Sequence, residues 1–415
     1  MQGQPNQVLI VGAGFSQYAG LPLQSEFTKA LLAARQFGEG KPSRALMDYL
    51  CKFVHATFGH QEDAEVWPPM EDLFTCIDLS ANTGHNLGAG YPAATLRTIR
   101  RALIARIIRM LRERYLKAQR RQKRRWKGIT KLLKHADLNR TAFVSLNWDV
   151  ATEGILSELH KGLSIEYGAE ESQFDFNADA TQTTSKRQPV ADGPSVRIAK
   201  IHGSINWLYC DNCRRLYVVP PDQVLHVADQ LLSESDWELI AQTGPPDGLR
   251  KPRRSCPWCP NVTLGTRIAT FSYRKALDFS MFQRTWLMTE RLLEQAARWV
   301  FIGYSLPAAD YEFKYLLKRV QLARSGKVEI ILVTGGSDAG VAATVDNYRR
   351  FFGEELRDEN ILTNGINDSV IERITGKKRM RMKVARMTRR VKRRTRINGS
   401  LRQLSRVKEG SGPSV

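Results

Sequence analysis

The chain has 415 residues, of which 42% are hydrophobic and 25% are charged, and its formal net charge is +21. As a starting expectation, this length predicts two or three domains, and a chain of this size buries a large core without disulfide bonds. No stretch reaches the roughly 18 apolar residues of a membrane helix. The first apolar run is short and leads into a glycine loop, so we expect no signal peptide and a cytoplasmic protein.

Two segments carry the positive charge. Residues 377–408 hold 15 Lys/Arg and no acidic residue, and residues 97–127 hold 14 Lys/Arg against Glu113 alone. Without these segments the net charge would be −7, so the rest of the chain is mildly acidic. We expect the tail to be a disordered extension or an arm that contacts polyanions such as nucleic acid. For residues 97–127 we expect a solvated helix face or a contact between copies in a homo-oligomer.

The predicted elements alternate between strands and helices. Residues 7–11 form a short β-branched run, followed by a glycine loop and a helix over 23–35. A long helical stretch reaches from 43 to about 133, with one helix over 93–126. Further strands are predicted at 141–146, 196–201, 299–302 and 328–333, with helices between the later ones. This alternation predicts an α/β fold with a doubly wound, parallel, Rossmann-like sheet, whose functional loops lie at the carboxyl ends of the strands.

The first strand ends in the loop Gly12-Ala13-Gly14-Phe15-Ser16. Glycines let a backbone approach a pyrophosphate, and a following helix N-terminus supplies N–H groups and a positive dipole end. The loop is not a strict G-x-G-x-x-G, so a tight turn needed for helix packing is the alternative interpretation.

Four of the six cysteines form two C-x-x-C pairs, Cys210 with Cys213 and Cys256 with Cys259. Two such pairs complete a closed tetrahedral site, so we predict a structural zinc ion without an open position for catalysis. The other two cysteines, Cys51 and Cys76, are isolated and are predicted to be small core residues.

Several segments together resemble the sirtuin family. In the family's order, they are Gly12–Ser16, Asn147-Trp148-Asp149, His202-Gly203, the four cysteines and Gly303-Tyr304-Ser305. The resemblance covers about residues 7–375, apart from a helical insertion at about 36–135 that is longer than in sirtuins. The amino-acid sequences of Gly20-Leu21-Pro22 and of residues 303–310 are most similar to those of divergent prokaryotic sirtuin-like proteins. Many of these proteins degrade NAD in antiphage defence.

The resemblance implies a domain plan and a role for each matching residue. Residues 1–375 would form an NAD-binding domain with a zinc module at about 207–262, and 376–415 would form the basic tail. The NAD phosphates would lie on Gly12, Ala13, Gly14, Phe15 and Ser16, and the adenosine half on Gly303, Ser305 and the Gly335-Gly336 loop. Asp149 would hold the nicotinamide amide, Asn147 the ribose or a water, and His202 would be the general base.

Two departures bear on the reaction. Sirtuin deacylases follow Gly-Ile-Pro with Asp-Phe-Arg, whereas here Leu23-Gln24-Ser25 follows Pro22. The deacylases' Phe-Gly-Glu after the last zinc cysteine is also absent. Both differences favour water over an acyl-lysine as the acceptor, and so an NAD glycohydrolase. An NAD-dependent deacylase and a non-enzymatic binding module for nucleic acid or an NAD derivative remain the alternatives, as does a purely structural buried His202. Asn147 is also a candidate cap for the next helix.

Overall fold

The structure, a computed structural model, describes residues 4–32, 41–60, 64–121, 123–178, 184–186, 193–241, 253–260, 264–270 and 279–377. Two units are distinguished, Met1–Thr375 and Gly376–Val415. The predicted basic tail lies outside the described residues from position 378 onwards. None of the described helices combines the length and the apolar character that a membrane-spanning segment requires.

Twelve strands occur among the described residues. In chain order they are β1 (Gln7–Val11), β2 (Thr141–Ser145), β3 (Ser164–Glu166), β4 (Ser172–Phe174), β5 (Thr184–Lys186), β6 (Ser195–Lys200), β7 (Trp207–Cys210), β8 (Leu216–Val218), β9 (Leu264–Gly265), β10 (Arg298–Ile302), β11 (Glu329–Val333) and β12 (Ile361–Leu362). Seven of them form the main sheet in the order β12-β11-β10-β1-β2-β6-β3, and every pair is parallel. The predicted parallel sheet is therefore confirmed.

Thirteen α-helices lie in the same part of the chain. They are α1 (Ala13–Gln17), α2 (Phe27–Leu32), α3 (Lys41–Phe58), α4 (Met70–Thr83), α5 (Ala93–Arg121), α6 (Lys123–His135), α7 (Ala151–Leu159), α8 (Val224–Gln230), α9 (Glu234–Ala241), α10 (Ser280–Gln295), α11 (Tyr311–Ala323), α12 (Asp338–Phe352) and α13 (Asp368–Thr375). The helix that we expected over 23–35 begins only at Phe27, because Gln24–Glu26 form a separate 3-10 turn before it. A short helix, α1, already forms within the glycine loop.

Both faces of the main sheet are covered. Successive side chains of a strand point to opposite faces. Leu9 and Val11 belong to a core that includes residues of α3 to α6, whereas Val8 and Ile10 belong to a second core with residues of α10 to α12. All five residues of β1 are buried, as a strand between two helical layers requires. The fold is thus doubly wound, and β1 is at its centre.

The expectation of a solvated or oligomeric face for residues 97–127 is wrong for four arginines of α5. This helix packs against α3, α4 and α8, and acidic residues of α4, α8 and α9 form ion pairs with it. Arg106 is fully buried and donates to the carbonyl of Leu31 at 3.2 Å. The other three form ion pairs with neighbouring elements: Arg100 with Asp78, Arg101 with Asp236 and Arg109 with Asp229. These four arginines therefore have their partners within the fold.

A second, five-stranded sheet of order β5-β4-β8-β7-β9 carries the cysteine pairs. Cys210 ends β7, and Tyr209 and Cys210 pair antiparallel with β9. Trp207, at the start of β7, is fully buried. This small sheet with its four-cysteine cluster is the predicted cysteine module.

Candidate active site and cysteine cluster

The register of the main sheet brings the predicted site residues to one edge. Val11, the last residue of β1, lies beside Ser145 of β2 and beside Ile302 of β10, and Ser145 in turn lies beside Lys200 of β6. These strands are parallel, so the segments that follow them leave the sheet at the same edge. The glycine loop, Asn147, His202 and Gly303 therefore meet there, at the reversal of strand order between β1 and β10 where doubly wound sheets bind ligands.

The glycine loop packs directly on the loop after β10. Gly14 N–H donates to the carbonyl of Gly303 at 2.8 Å. A Cβ on Gly12 would lie 2.7 Å from that carbonyl oxygen, and one on Gly14 would lie 2.8 Å from the Gly303 Cα. Gly303 itself has φ of 61°, which favours glycine. These three glycines thus have a packing role, as the tight-turn interpretation expected, whatever ligand the loop binds.

The rest of the loop is partly accessible. Ala13 and Gly14 are half-buried, whereas Phe15 is fully buried, backbone included, so within this loop Ala13 and Gly14 are the more accessible residues. The N–H of Phe15 donates to Gly12 O at 2.9 Å. The Ser16 hydroxyl accepts a hydrogen bond from the Asn147 side chain at 2.8 Å, and its own proton remains to be donated.

Asn147 ties the second strand end to the glycine loop. Its Nδ2 donates to Gly12 O and to Ser16 Oγ, both at 2.8 Å. The interpretation of Asn147 as a helix cap is wrong, because α7 begins four residues later and Asp149 Oδ1 accepts from the N–H of its first residue, Ala151, at 2.9 Å. Asp149 is buried, and this hydrogen bond gives it a structural role in addition to its predicted contact with nicotinamide.

A buried ion pair between β6 and α7 also holds the segment that follows β2. Lys200 is fully buried, donates to the backbone carbonyl of Asp149 and lies 2.9 Å from Glu153 Oε1. Burial raises the pKa of Glu153, and the Lys200 ammonium acts in the opposite direction. No sequence pattern pointed to this pair, although Lys200 lies only two residues before His202.

His202 is held between two protein groups. Its Nδ1 lies 3.1 Å from Leu146 O, and its Nε2 lies 3.7 Å from Asp310 Oδ1. The residue is 8% exposed. The following Gly203 has φ of 81°, and a Cβ there would lie 2.8 Å from Arg267 O. The sequence alone gives Asp310 no role, although it follows Gly303 in the loop that was predicted to contact NAD.

Ser305 and Gly335 follow the ends of β10 and β11, and both are exposed. The carbonyl of Ser305 accepts from Asn347 Nδ2 at 3.1 Å. A Cβ on Gly335 would lie 3.1 Å from the backbone of Gly365, while Gly336 has φ of 122° and open space beside it. These two loops extend the same edge of the sheet on the β10 side, and the loop after β10 reaches His202 through Asp310.

The four predicted cysteine ligands come together. Their Sγ atoms all lie within 4.8 Å of one another, with Cys210 and Cys259 at 3.5 Å and Cys213 and Cys256 at 3.6 Å. A tetrahedral zinc thiolate site with bonds of about 2.3 Å requires S–S separations of about 3.8 Å. Tyr217 OH lies 3.1 Å from Cys256 Sγ, in position to donate to a thiolate. The donor set and its spacing therefore fit a zinc ion.

No protein-family model matches the sequence, and a search of curated proteins gives no significant match. Among solved structures, "Structure of Sir2Tm bound to a propionylated peptide" has a TM-score of 0.35 and 13% identity over 90% of this chain and 93% of that chain. Sir2 with a p53 peptide and NAD+ has a TM-score of 0.33, as has Sir2 bound to an acetylated peptide, each at the same identity and coverage.

Proposed function

We propose that this protein is an NAD glycohydrolase that cleaves the nicotinamide–ribose bond to give nicotinamide and ADP-ribose. The observation that supports this is the convergence of the glycine loop, Asn147 and His202 at one sheet edge. Asn147 bonds directly to Gly12 and Ser16, and His202 bonds to Leu146, the residue before Asn147. This is the sirtuin-like set of residues, joined by short contacts around the crevice where a dinucleotide binds.

Cleavage of this bond requires that NAD and a water molecule be oriented and that a base accept the proton of the water. A water molecule attacks the ribose carbon, the glycosidic bond breaks, and its electron pair neutralises the nicotinamide ring nitrogen. The water proton passes to His202 Nε2 and then to solvent, so that NAD+ and water give nicotinamide, ADP-ribose and one proton. Because nicotinamide leaves as a neutral group, no strong acid is needed, and an imidazole can act as the base near neutral pH.

Water is proposed as the acceptor in preference to an acyl-lysine. Leu23-Gln24-Ser25 stands where deacylases carry Asp-Phe-Arg. The deacylases' Phe-Gly-Glu segment is absent after the last cysteine, and in this region Leu264 and Gly265 pair with Cys210 and Tyr209 of β7. Deacylation remains the alternative that the assay below must separate.

We expect purified protein to consume NAD without any peptide and to release nicotinamide and ADP-ribose in equal amounts. Chromatography of the nucleotides measures both products, with and without an acetylated lysine peptide. NAD loss that requires the peptide, with transfer of its acetyl group, would support the deacylase instead. Binding of NAD without turnover under either condition would support a non-enzymatic binding module.

We further propose that the enzyme acts in the cytoplasm as an antiphage-defence effector.

For the tail we propose contact with polyanions through the 15 Lys/Arg of residues 377–408, a stretch without acidic residues. We expect full-length protein to bind DNA and RNA without sequence preference, with an affinity that falls steeply as salt rises, because phosphate contacts release counterions. Fluorescence anisotropy at several salt concentrations measures this, and a chain ending at residue 375 is the control. Equal binding by the two chains would exclude the tail as the contact.

A further inference from the structure

We propose that Asp310 is a positioning residue for the reaction, which orients the His202 ring and stabilises it in its protonated form. This inference rests on the proposed function, in which His202 is the base. It arises from one contact that joins two distant segments: His202 Nε2 and Asp310 Oδ1 are 3.7 Å apart. Both residues are at most 9% exposed.

The backbone identifies the reactive nitrogen. A carbonyl oxygen only accepts hydrogen bonds, so the contact between Leu146 O and His202 Nδ1 requires that Nδ1 carry the hydrogen. In neutral His202, Nε2 is therefore the unprotonated nitrogen, and it is the atom that gains a proton when the ring acts as a base. Asp310 lies on this side of the ring, where a carboxylate stabilises the positive charge that forms.

Asp310 is itself fixed in place. Its Oδ2 accepts a hydrogen bond from Tyr304 OH at 3.0 Å, and its backbone carbonyl accepts from Lys314 N–H in the first turns of α11. Burial, together with the Asp310 charge, raises the pKa of Tyr304 well above its ordinary value, so that Tyr304 stays protonated and remains a donor. The order of contacts is Tyr304 to Asp310, Asp310 to His202, and His202 to Leu146 O.

Other charged groups of the segments around His202 have partners elsewhere. From β6, Lys200 pairs with Glu153 of α7. From the loop after β2, Asp149 accepts from the N–H of Ala151. From the segment beside Gly203, Arg267 pairs with Asp211. Asp310, in contrast, lies within ion-pair distance of the His202 ring.

The isosteric change Asp310→Asn tests the proposal, because it removes the charge and keeps an acceptor for Tyr304. Without the carboxylate, the imidazolium is less stable, so the ring holds its proton less tightly. The acid limb of the turnover profile, where His202 becomes protonated, should therefore move to lower pH by about one unit. Turnover at the plateau should fall at least tenfold, but by no more than the roughly 10²- to 10⁴-fold expected for loss of the base itself.

Tyr304→Phe separates orientation from charge. It leaves the Asp310 carboxylate ionised but takes away its hydrogen-bond donor, so turnover should fall while the acid limb stays within about 0.3 pH units of the wild type. Asp346→Asn, which changes an exposed carboxylate on α12, is the matched control and should alter neither property. Circular dichroism and metal content establish that each variant is folded.

A second measurement does not need turnover. NMR titration of the histidine side chains follows each ring directly, and the His202 signal is identified by its loss in His202→Asn. We expect its titration midpoint to be lower by about one pH unit in Asp310→Asn than in the wild type. Midpoints that agree within about 0.3 units would overturn the proposal, even in an active enzyme. A wild-type protein that never cleaves NAD would instead overturn the proposed function, while the titration still decides whether Asp310 acts on His202.

Discussion

Replacing His202 with alanine is expected to reduce the rate of NAD cleavage by about 10²- to 10⁴-fold, the usual contribution of a positioned general base. Turnover should fall far more than affinity for NAD, since a base acts in the transition state and not in the bound ground state. Asn147→Ala should have a similarly large effect, because it removes both bonds between the second strand end and the glycine loop. Initial rates over a range of NAD concentrations give kcat and KM for each variant.

The structural alternative makes a different prediction. His202 is buried and bonded to Leu146 O, so alanine there leaves a cavity and an unpaired carbonyl. His202→Asn addresses this, because an amide is able to donate to the same carbonyl but is not a base. If the site is catalytic, the asparagine variant is folded and inactive. The exposed residues His55 and Asn139 supply matched alanine controls. A folded His202→Asn protein with wild-type turnover would contradict the mechanism.

The main sheet could be predicted because its strands are continuous apolar runs. Residues 7–11 were predicted as a strand and form β1, with all five residues buried. That the loops after these strands share one edge then follows from the rules for doubly wound folds. Candidate residues at the ends of predicted strands, such as Asn147 and His202, could for the same reason be expected to lie near one another. Local pattern and topology together are enough for this level of description.

Contacts between distant segments could not be predicted in this way. Asp310 contacts His202 although the two residues are 108 positions apart in the sequence. Arg101 pairs with Asp236, which is 135 positions away. Whether a charged side chain is solvated or paired depends on how helices pack in three dimensions. The spacing of residues along the sequence does not determine this packing. The expectation for four arginines of α5, Arg100, Arg101, Arg106 and Arg109, was wrong for that reason. Likewise, the glycines of the Gly12–Ser16 loop fit a phosphate site in sequence, but only the structure reveals their contact with Gly303.

Loss of the metal is the second change for which a large effect is expected. We propose that the four-cysteine cluster holds one zinc ion per chain, and we expect Cys256→Ser to lose it and to unfold more easily by several kcal/mol. Structural zinc contributes roughly 10–16 kcal/mol to the folding of isolated zinc-finger peptides. The loss should be smaller here, since buried side chains such as Trp207 also hold the small sheet together. Elemental analysis measures the zinc, and urea unfolding measures the stability.

Cys76→Ser is the matched control, because it makes the same chemical change at a half-buried cysteine outside the cluster. It should keep one zinc per chain and most of the stability. Because four thiolates close the coordination shell, the metal has no open position for a substrate. The fraction of Cys256→Ser protein that remains folded should therefore cleave NAD at an unchanged rate per folded molecule. Wild-type protein with much less than one equivalent of zinc, or a folded Cys256→Ser enzyme without turnover, would show that the cluster has another role.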